Sequence, residues 1–292
     1  MSRHAGTGVP DTSRLVRIEA DRVISVRQVR PHFDSVPARL WFGGNRFRTA
    51  FFNAYTLLLC EECEFVAIVR KYLPAIRDEK LRVQAKSWLG QEASHGVQHR
   101  KACVTLERLG LRYRGYQRVI NFVSFRMLFP VLSKSFRISL VAGLEHFNTM
   151  IGEMCLTQPD YFTNVDEELA LLLSWHFAEE IEHRAVIHDI AEEMGVGYVT
   201  RVIAGFFAFA LYTAVLLVTA CWFSMQSPDI FRLAWYRQLF HFLFKDEKYV
   251  QFSTTYLRAY LARAFHPLLR TSDQYAAPVF SHLDSAYQCR RS

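Results

Sequence analysis

Two glutamates, each followed three residues later by a histidine, carry the chemistry of this chain: Glu92 and His95 in QEASH, and Glu180 and His183 in EEIEH. Residues three apart share a helix face, so each pair presents one carboxylate and one imidazole in the same direction. Two such pairs, completed by one glutamate from each of two further helices, form the inward ligand set of a carboxylate-bridged dinuclear metal site in a four-helix bundle. Carboxylates and neutral imidazoles suit Fe, Mn or Zn, and bridging glutamates hold two such ions close together. A single Glu-x-x-His arises easily by chance, so the spacing has to decide.

The elements that must position these pairs are helices. Periodicity of that kind dominates from Val36 onward. A first apolar stripe runs from about Phe47 to Tyr72 and stops at Leu73-Pro74, because proline disfavours further helix. A second helix is predicted from a cap at Asp78 through Trp88, Glu92 and His95 to Leu109-Gly110. Residues 111–130 are mixed, with Gly115 and Pro130. A third helix is predicted from about Val131 to Leu156, followed by the loop TQPDYFTN. The fourth starts near Val165, with Asp166, Glu167 and Glu168 at its positive end, and runs to Met194-Gly195.

Spacing then supplies the missing carboxylates. In an antiparallel helix hairpin, residues at the same height sit equidistant from the connecting loop. Glu62 and Glu92 have their midpoint at Arg77, inside the Pro74–Asp78 break. Glu145 and Glu180 have theirs near Phe162, inside TQPDYFTN. Both surroundings are apolar: Leu57 to Leu59 and Phe65 near Glu62, Val141, Ala142 and Phe147 near Glu145. Four glutamates buried without cations would be very costly, which points to metal among them. Hairpin symmetry alone does not choose between Glu61, Glu62 and Glu64 in CEECEF, since each keeps the midpoint within the break. His176 shares a stripe with Glu180 and His183, as a third imidazole ligand or as a donor to a carboxylate. His99 and His188 lie one turn beyond the pairs and are read as supporting or solvent groups, and Glu179 and Glu182 as flanking the stripe.

Composition narrows the function classes. Of 292 residues 51% are apolar and 14% aromatic, and the net charge is +7. The basic residues are scattered through helical stretches with no glycine- or aromatic-interleaved block, which speaks against nucleic acid and for an anionic membrane surface. Residues 203–223 carry no charge over 21 positions, about the number needed to span a bilayer. The stretch after them, with Arg232, Trp235, Tyr236, Arg237, Lys245 and Lys248, suits a membrane–water interface. Residues 1–35 show no apolar leader segment, although VRIEADRVISVRQV has some strand character. Cys60 and Cys63 form a lone CxxC on a predicted helix, which supports neither a four-thiolate zinc site nor a thioredoxin-like motif. Reduced thiols, and hence a cytoplasmic location at the inner membrane, follow.

The blocks WFGGN, CEECEF, VRKYLPAIRDEKLR, WLGQEASHGVQHR, AGLEHF and LLSWHFAEEIEHRAVIHDI resemble the bacterial family labelled "predicted metal-dependent hydrolase" over roughly residues 35–270. The resemblance implies ligands at Glu92, His95, His176, Glu180 and His183 from the QEAxH and WHxxEExEH blocks, and at Glu145 from EHF. It also favours Glu62 as the first glutamate, although this chain reads Cys60-Glu61-Glu62-Cys63 where the family usually has Pro-x-Gly-Glu. The order His-x-x-x-Glu-x-x-His is similar to that of di-iron aryl-amine N-oxygenases.

The expected fold is all-α: a ferritin-like four-helix bundle with one long crossover over residues 36–198. An arm at 1–35 precedes it, and an apolar, membrane-associated helical segment at 199–270 and a polar tail at 271–292 follow. The expected function is that of a non-haem di-iron oxidase or oxygenase, in which two Fe ions (Mn or Zn as substitutes) activate O₂. The substrate would be a small hydrophobic molecule or an amine, and an electron donor would be needed. The alternatives are a metal-dependent hydrolase, in which a metal-bound hydroxide attacks an ester or amide, and a non-enzymatic metal-binding membrane protein.

Overall fold

In the computed structural model, which describes residues 24–36 and 39–289, eleven helices of eight or more residues account for most of the chain. Short polar side chains start four of the helices on which the pocket depends. Asn45 accepts from the Arg48 amide at the start of α1 (Arg46–Leu59). After α2 (Glu62–Val69), Asp78 does the same for Leu81 at the start of α3 (Glu79–Arg108). Beyond α4 (Arg114–Asn121), a seven-residue π-helical turn (Phe122–Leu128) and a short turn at Phe129–Val131 lead to Ser133, which caps α5 (Lys134–Leu156). Asp166 accepts from two amides, those of Glu168 and Leu169, at the start of α6 (Glu167–His183). Each such cap satisfies donors that the first turn leaves unpaired, and each contributes about 1 kcal/mol.

The chain is all-α, as expected; among the described residues the only β pairing is an isolated bridge between Phe42 and Val165. The helices α1 and α2 pack on α3, α3 on α6, and α6 on α5. After α7 (Val186–Glu193), helix α8 (Tyr198–Met225) closes the bundle by packing on both α5 and α1. Three helices then cover the outside: α9 (Leu233–Phe244) on α1, α10 (Tyr249–Leu261) on α5 and α11 (Asp273–Cys289) on α6. A Cβ on Gly152 of α5 would lie 3.1 Å from the Cβ and carbonyl oxygen of Phe177, so glycine there lets α6 approach closely.

Two helices predicted as continuous are interrupted. The stripe from Phe47 to Tyr72 breaks at Cys60-Glu61, and Arg100 Nη1 donates to the carbonyl of Cys60 at 2.9 Å, satisfying a group that the break exposes. The fourth helix ends at His183 rather than Met194. Arg184 turns its guanidinium onto the Ile181 carbonyl and the Asp273 carboxylate, and α7 starts afresh. The strand-like stretch 16–29 lies outside the described residues up to residue 23. From Ile24 onward it runs as irregular chain against α6, where the Arg27 amide donates to Glu179.

Helix α8 is long and apolar enough to cross a membrane, with mean hydropathy 2.3 in its most apolar window and 28% of that window buried. Ala204, Ala208, Leu216, Ala220 and Phe223 form its buried stripe, while Ile203, Phe206, Phe207, Val218 and Trp222 are exposed.

Candidate metal centre

All seven side chains named above converge in one pocket, and none is more than 2% exposed. Glu62 comes from the first turn of α2, Glu92 and His95 from α3, Glu145 from α5, and His176, Glu180 and His183 from α6. Their ligating atoms fall into two groups, each within 4.8 Å: Glu62, His95, His176 and Glu180 in one, Glu92, Glu145, Glu180 and His183 in the other. Glu180 belongs to both, the position of a bridging carboxylate. Of the three acids in CEECEF, Glu62 is the buried one that reaches the groups, whereas Glu61 accepts from Gln117 at 2.6 Å outside them.

Each imidazole turns one nitrogen inward and has the other held. His183 Nε2 lies 3.2 Å from an oxygen of Glu92, of Glu145 and of Glu180, while its Nδ1 meets Gln91 Oε1 at 2.9 Å. His95 Nδ1 faces Glu92 at 3.6 Å and Glu62 at 4.0 Å, and its Nε2 is held by Glu179 at 3.0 Å. His176 Nε2 is 3.1 Å from Glu180 and 3.3 Å from the Tyr55 hydroxyl, and its Nδ1 meets His99 at 3.4 Å. Two carboxylates are held as well: Trp88 Nε1 donates to Glu145 at 3.0 Å, and Asn148 Nδ2 donates to Glu180 at 3.3 Å. Such outer partners fix ring orientation and tautomer in metal sites.

The electrostatics fit a missing positive charge. Among the described residues, no Lys or Arg pairs with Glu62, Glu92, Glu145 or Glu180. Burial, with Glu92 alongside, carries the Glu62 carboxyl well above its ordinary range. Burial and Glu145 push Glu92 up to about 7, and burial and Glu180 raise Glu145. Burial works against a charged imidazole at His95, but Glu179 and Glu92 outweigh it and lift that pKa to about 9. At His183 Glu180 and Glu145 likewise outweigh burial, and the pKa rises well above normal. His176 and His99, buried beside other imidazoles, go the other way and stay neutral, the form in which an imidazole such as His176 can bind a metal. Both oxygens of Glu62, both of Glu92, and Nδ1 of His95 have no hydrogen-bond partner. Orphaned, fully buried carboxylate oxygens are rare in folded proteins, and a dication is the group they fit.

Sequence reasoning passed over Gln91, Trp88, Tyr55 and Asn148, and set Glu179 aside as a flanking residue. Trp88 and Asn148 lie four residues before Glu92 and three after Glu145, so the same helical stripe that marked the ligands also marked them. Glu179 and Gln91 carried no such signal, because what they hold lies on the facing helix. Asp189 pairs with His266 at 2.9 Å, away from the pocket. A further group, His188, Glu192 and His266, brings ligating atoms within 4.8 Å, but its glutamate is exposed. Cys60, Cys63, Cys103, Cys155 and Cys221 are free, and the sulfurs of Cys60 and Cys103 lie 3.2 Å apart.

A family model described as "Predicted metal-dependent hydrolase" matches residues 25–270. No curated protein and no solved structure matches the chain.

Proposed function

The chain belongs to the predicted metal-dependent hydrolase family, and from that premise we propose that its pocket holds two metal ions and hydrolyses an apolar ester or amide. The orphaned oxygens of Glu62 and Glu92 carry the metal part of this reading, and family membership carries the hydrolytic part. In this assignment Glu62, His95 and His176 hold one ion, Glu92, Glu145 and His183 the other, and Glu180 both. Bound ions of this kind lower the pKa of water and polarise a carbonyl. The protein does the rest. Glu179 and Gln91 fix the outer nitrogens of His95 and His183, and Trp88 and Asn148 aim the carboxylates of Glu145 and Glu180. Tyr55, whose phenol burial keeps protonated, stands beside His176 at the edge of the pocket. Water's oxygen bonds to the carbonyl carbon, the carbon–heteroatom bond breaks, and the departing alkoxide or amine takes up the water's proton.

A second reading uses the same residues for O₂-dependent oxidation of a hydrophobic molecule or an amine by two Fe ions, with an electron donor. The donor set favours it, because four glutamates and three histidines around a shared carboxylate suit iron as well as zinc or manganese. Loading the purified protein with Zn, Mn or Fe(II) under anaerobic conditions and assaying ester and amide cleavage separates the two. Cleavage without O₂ supports hydrolysis. O₂ uptake by the Fe(II) form with no cleavage would replace it with the oxidative reading, and metal binding with neither reaction would leave a storage or structural site.

We further propose that the protein works at the cytoplasmic face of a membrane. The apolar outer face of α8, the exposed Phe231, Leu233, Phe240 and Phe244, the +7 charge and the free thiols support this placement. Sedimentation with anionic but not neutral vesicles tests it.

A further inference from the structure

An apolar cavity of about 90 Å³ lies between α1, α5, α8 and the π-helical turn. Its walls are mostly apolar, Leu58, Phe65, Phe125, Leu144 and Leu211 among them, with Glu61, Ser124, Asn148 and Tyr212 as the polar lining and no cationic side chain. Its polar end is Asn148, which joins the cavity to the metal pocket: Nδ2 donates to Glu180, and Oδ1 accepts from the Tyr212 hydroxyl at 3.0 Å. Leu144 and Asn148 flank Glu145 on α5, so the cavity reaches the pocket within one helical turn. At the other end its lining comes from residues 120–125 and from α8. The exposed apolar neighbours there are Phe122, Val123 and Met127 on the π-helical turn and Phe207 and Val218 on α8. A π-helical turn is rare and is frequently found at functional sites.

The geometry points to this cavity as the binding site for the unbranched hydrocarbon chain of the substrate, with the reactive end passed to Glu180 beside Asn148. The inference rests on the dinuclear pocket being the reacting centre and adds the substrate class: single-chain acyl esters or amides. A mostly apolar wall that meets the metal pocket at Asn148 sorts a chain from its head group. A volume of this size admits the end of one chain. A phosphate would find no cationic partner on these walls. The larger hollow near Gly43, Gln158 and Asp160, about 640 Å³, is open and polar, and none of the seven pocket residues lines it.

The test uses the full chain and a dodecanoic acid bearing a mid-chain diazirine, offered as monomer in water and in anionic lipid vesicles. Expected are cross-links on Phe125, Leu144 or Leu211, with the arm that saturates first showing whether the chain arrives from water or from a bilayer. Leu211→Trp, which fills the cavity, should weaken dodecanoate binding at least about tenfold with metal content unchanged. Should that variant fail to fold, Ser124→Trp on the half-exposed turn makes the same block. Cross-links confined to other surfaces, or unchanged binding by the folded blocking variant, would overturn the chain site. Glu92→Ala separates the two claims. Retained chain binding there, with no cleavage by the metal-loaded wild type, defeats hydrolysis and supports the chain site. Cleavage of an acetyl ester, with dodecanoate binding indifferent to the block, does the reverse.

Discussion

Helix α5 carries two buried glutamates, Glu145 and Glu153, about two turns apart and electrostatically opposite. Glu153 is supplied by the fold. Arg270 pairs with it, Tyr256 donates at 2.6 Å and Ser272 at 2.5 Å, and although burial works to raise its pKa these partners hold it below the usual carboxylate range. Glu145 is grouped with two other carboxylates, Glu92 and Glu180, and meets the Trp88 indole and the His183 imidazole, and burial together with Glu180 raises it. Buried carboxylates are tolerated only when compensated. Where the chain provides the cation, the group is a structural clamp. Where it provides imidazoles but no Lys or Arg, a bound metal ion fits, and on the proposed function the same helix serves both stability and chemistry.

The largest effect that would sharpen this contrast is on metal content. Glu92→Ala or Glu180→Ala should abolish metal loading while far-ultraviolet circular dichroism stays helical; full occupancy in both variants would sink the assignment. Arg270→Met should do the opposite, lowering unfolding free energy by about 2 kcal/mol in denaturant titrations and leaving metal content intact. A loss of metal with Arg270 would mean that the clamp and the pocket are not separable. Glu179→Gln, which weakens the grip on His95, should cost about tenfold in metal affinity, read by competition with a chelator, without loss of fold.

The smallest effect is in pH dependence. In metal-free protein Glu92, raised to about 7, keeps its proton where the unfolded chain has lost it, so its contribution to stability falls as pH rises between about 4.5 and about 7. His95, raised to about 9, contributes below about 6.5 and loses that contribution as pH climbs through 9. Glu153 has the reverse sign: its contribution is present above the ordinary carboxylate pKa and is lost as pH falls below it. Melting temperatures of the metal-free protein should therefore decline toward alkaline pH, and saturating zinc should flatten that limb but not the acid one. Superimposable profiles with and without zinc would remove the distinction between the two glutamates.

The chain by itself determined the all-α fold, the caps at Asp78, Ser133 and Asp166 being either local signals or within a residue or two of the predicted starts. It also determined the convergence of the two Glu-x-x-His pairs with Glu145. These rest on helical period and on equal distances from a loop, both of which are properties of sequence spacing. Tertiary structure decided which acid of CEECEF enters the pocket. A continuous helix would have aimed these residues differently, and the break at Cys60 is stabilised by Arg100, forty residues away. It likewise decided that His176 turns Nε2 inward, that Glu179 grips His95, and that α6 stops at His183, where Arg184 reaches Asp273 on α11. Those choices are made by side chains from distant segments competing for one buried donor or acceptor, and nothing in the local pattern records which of them wins.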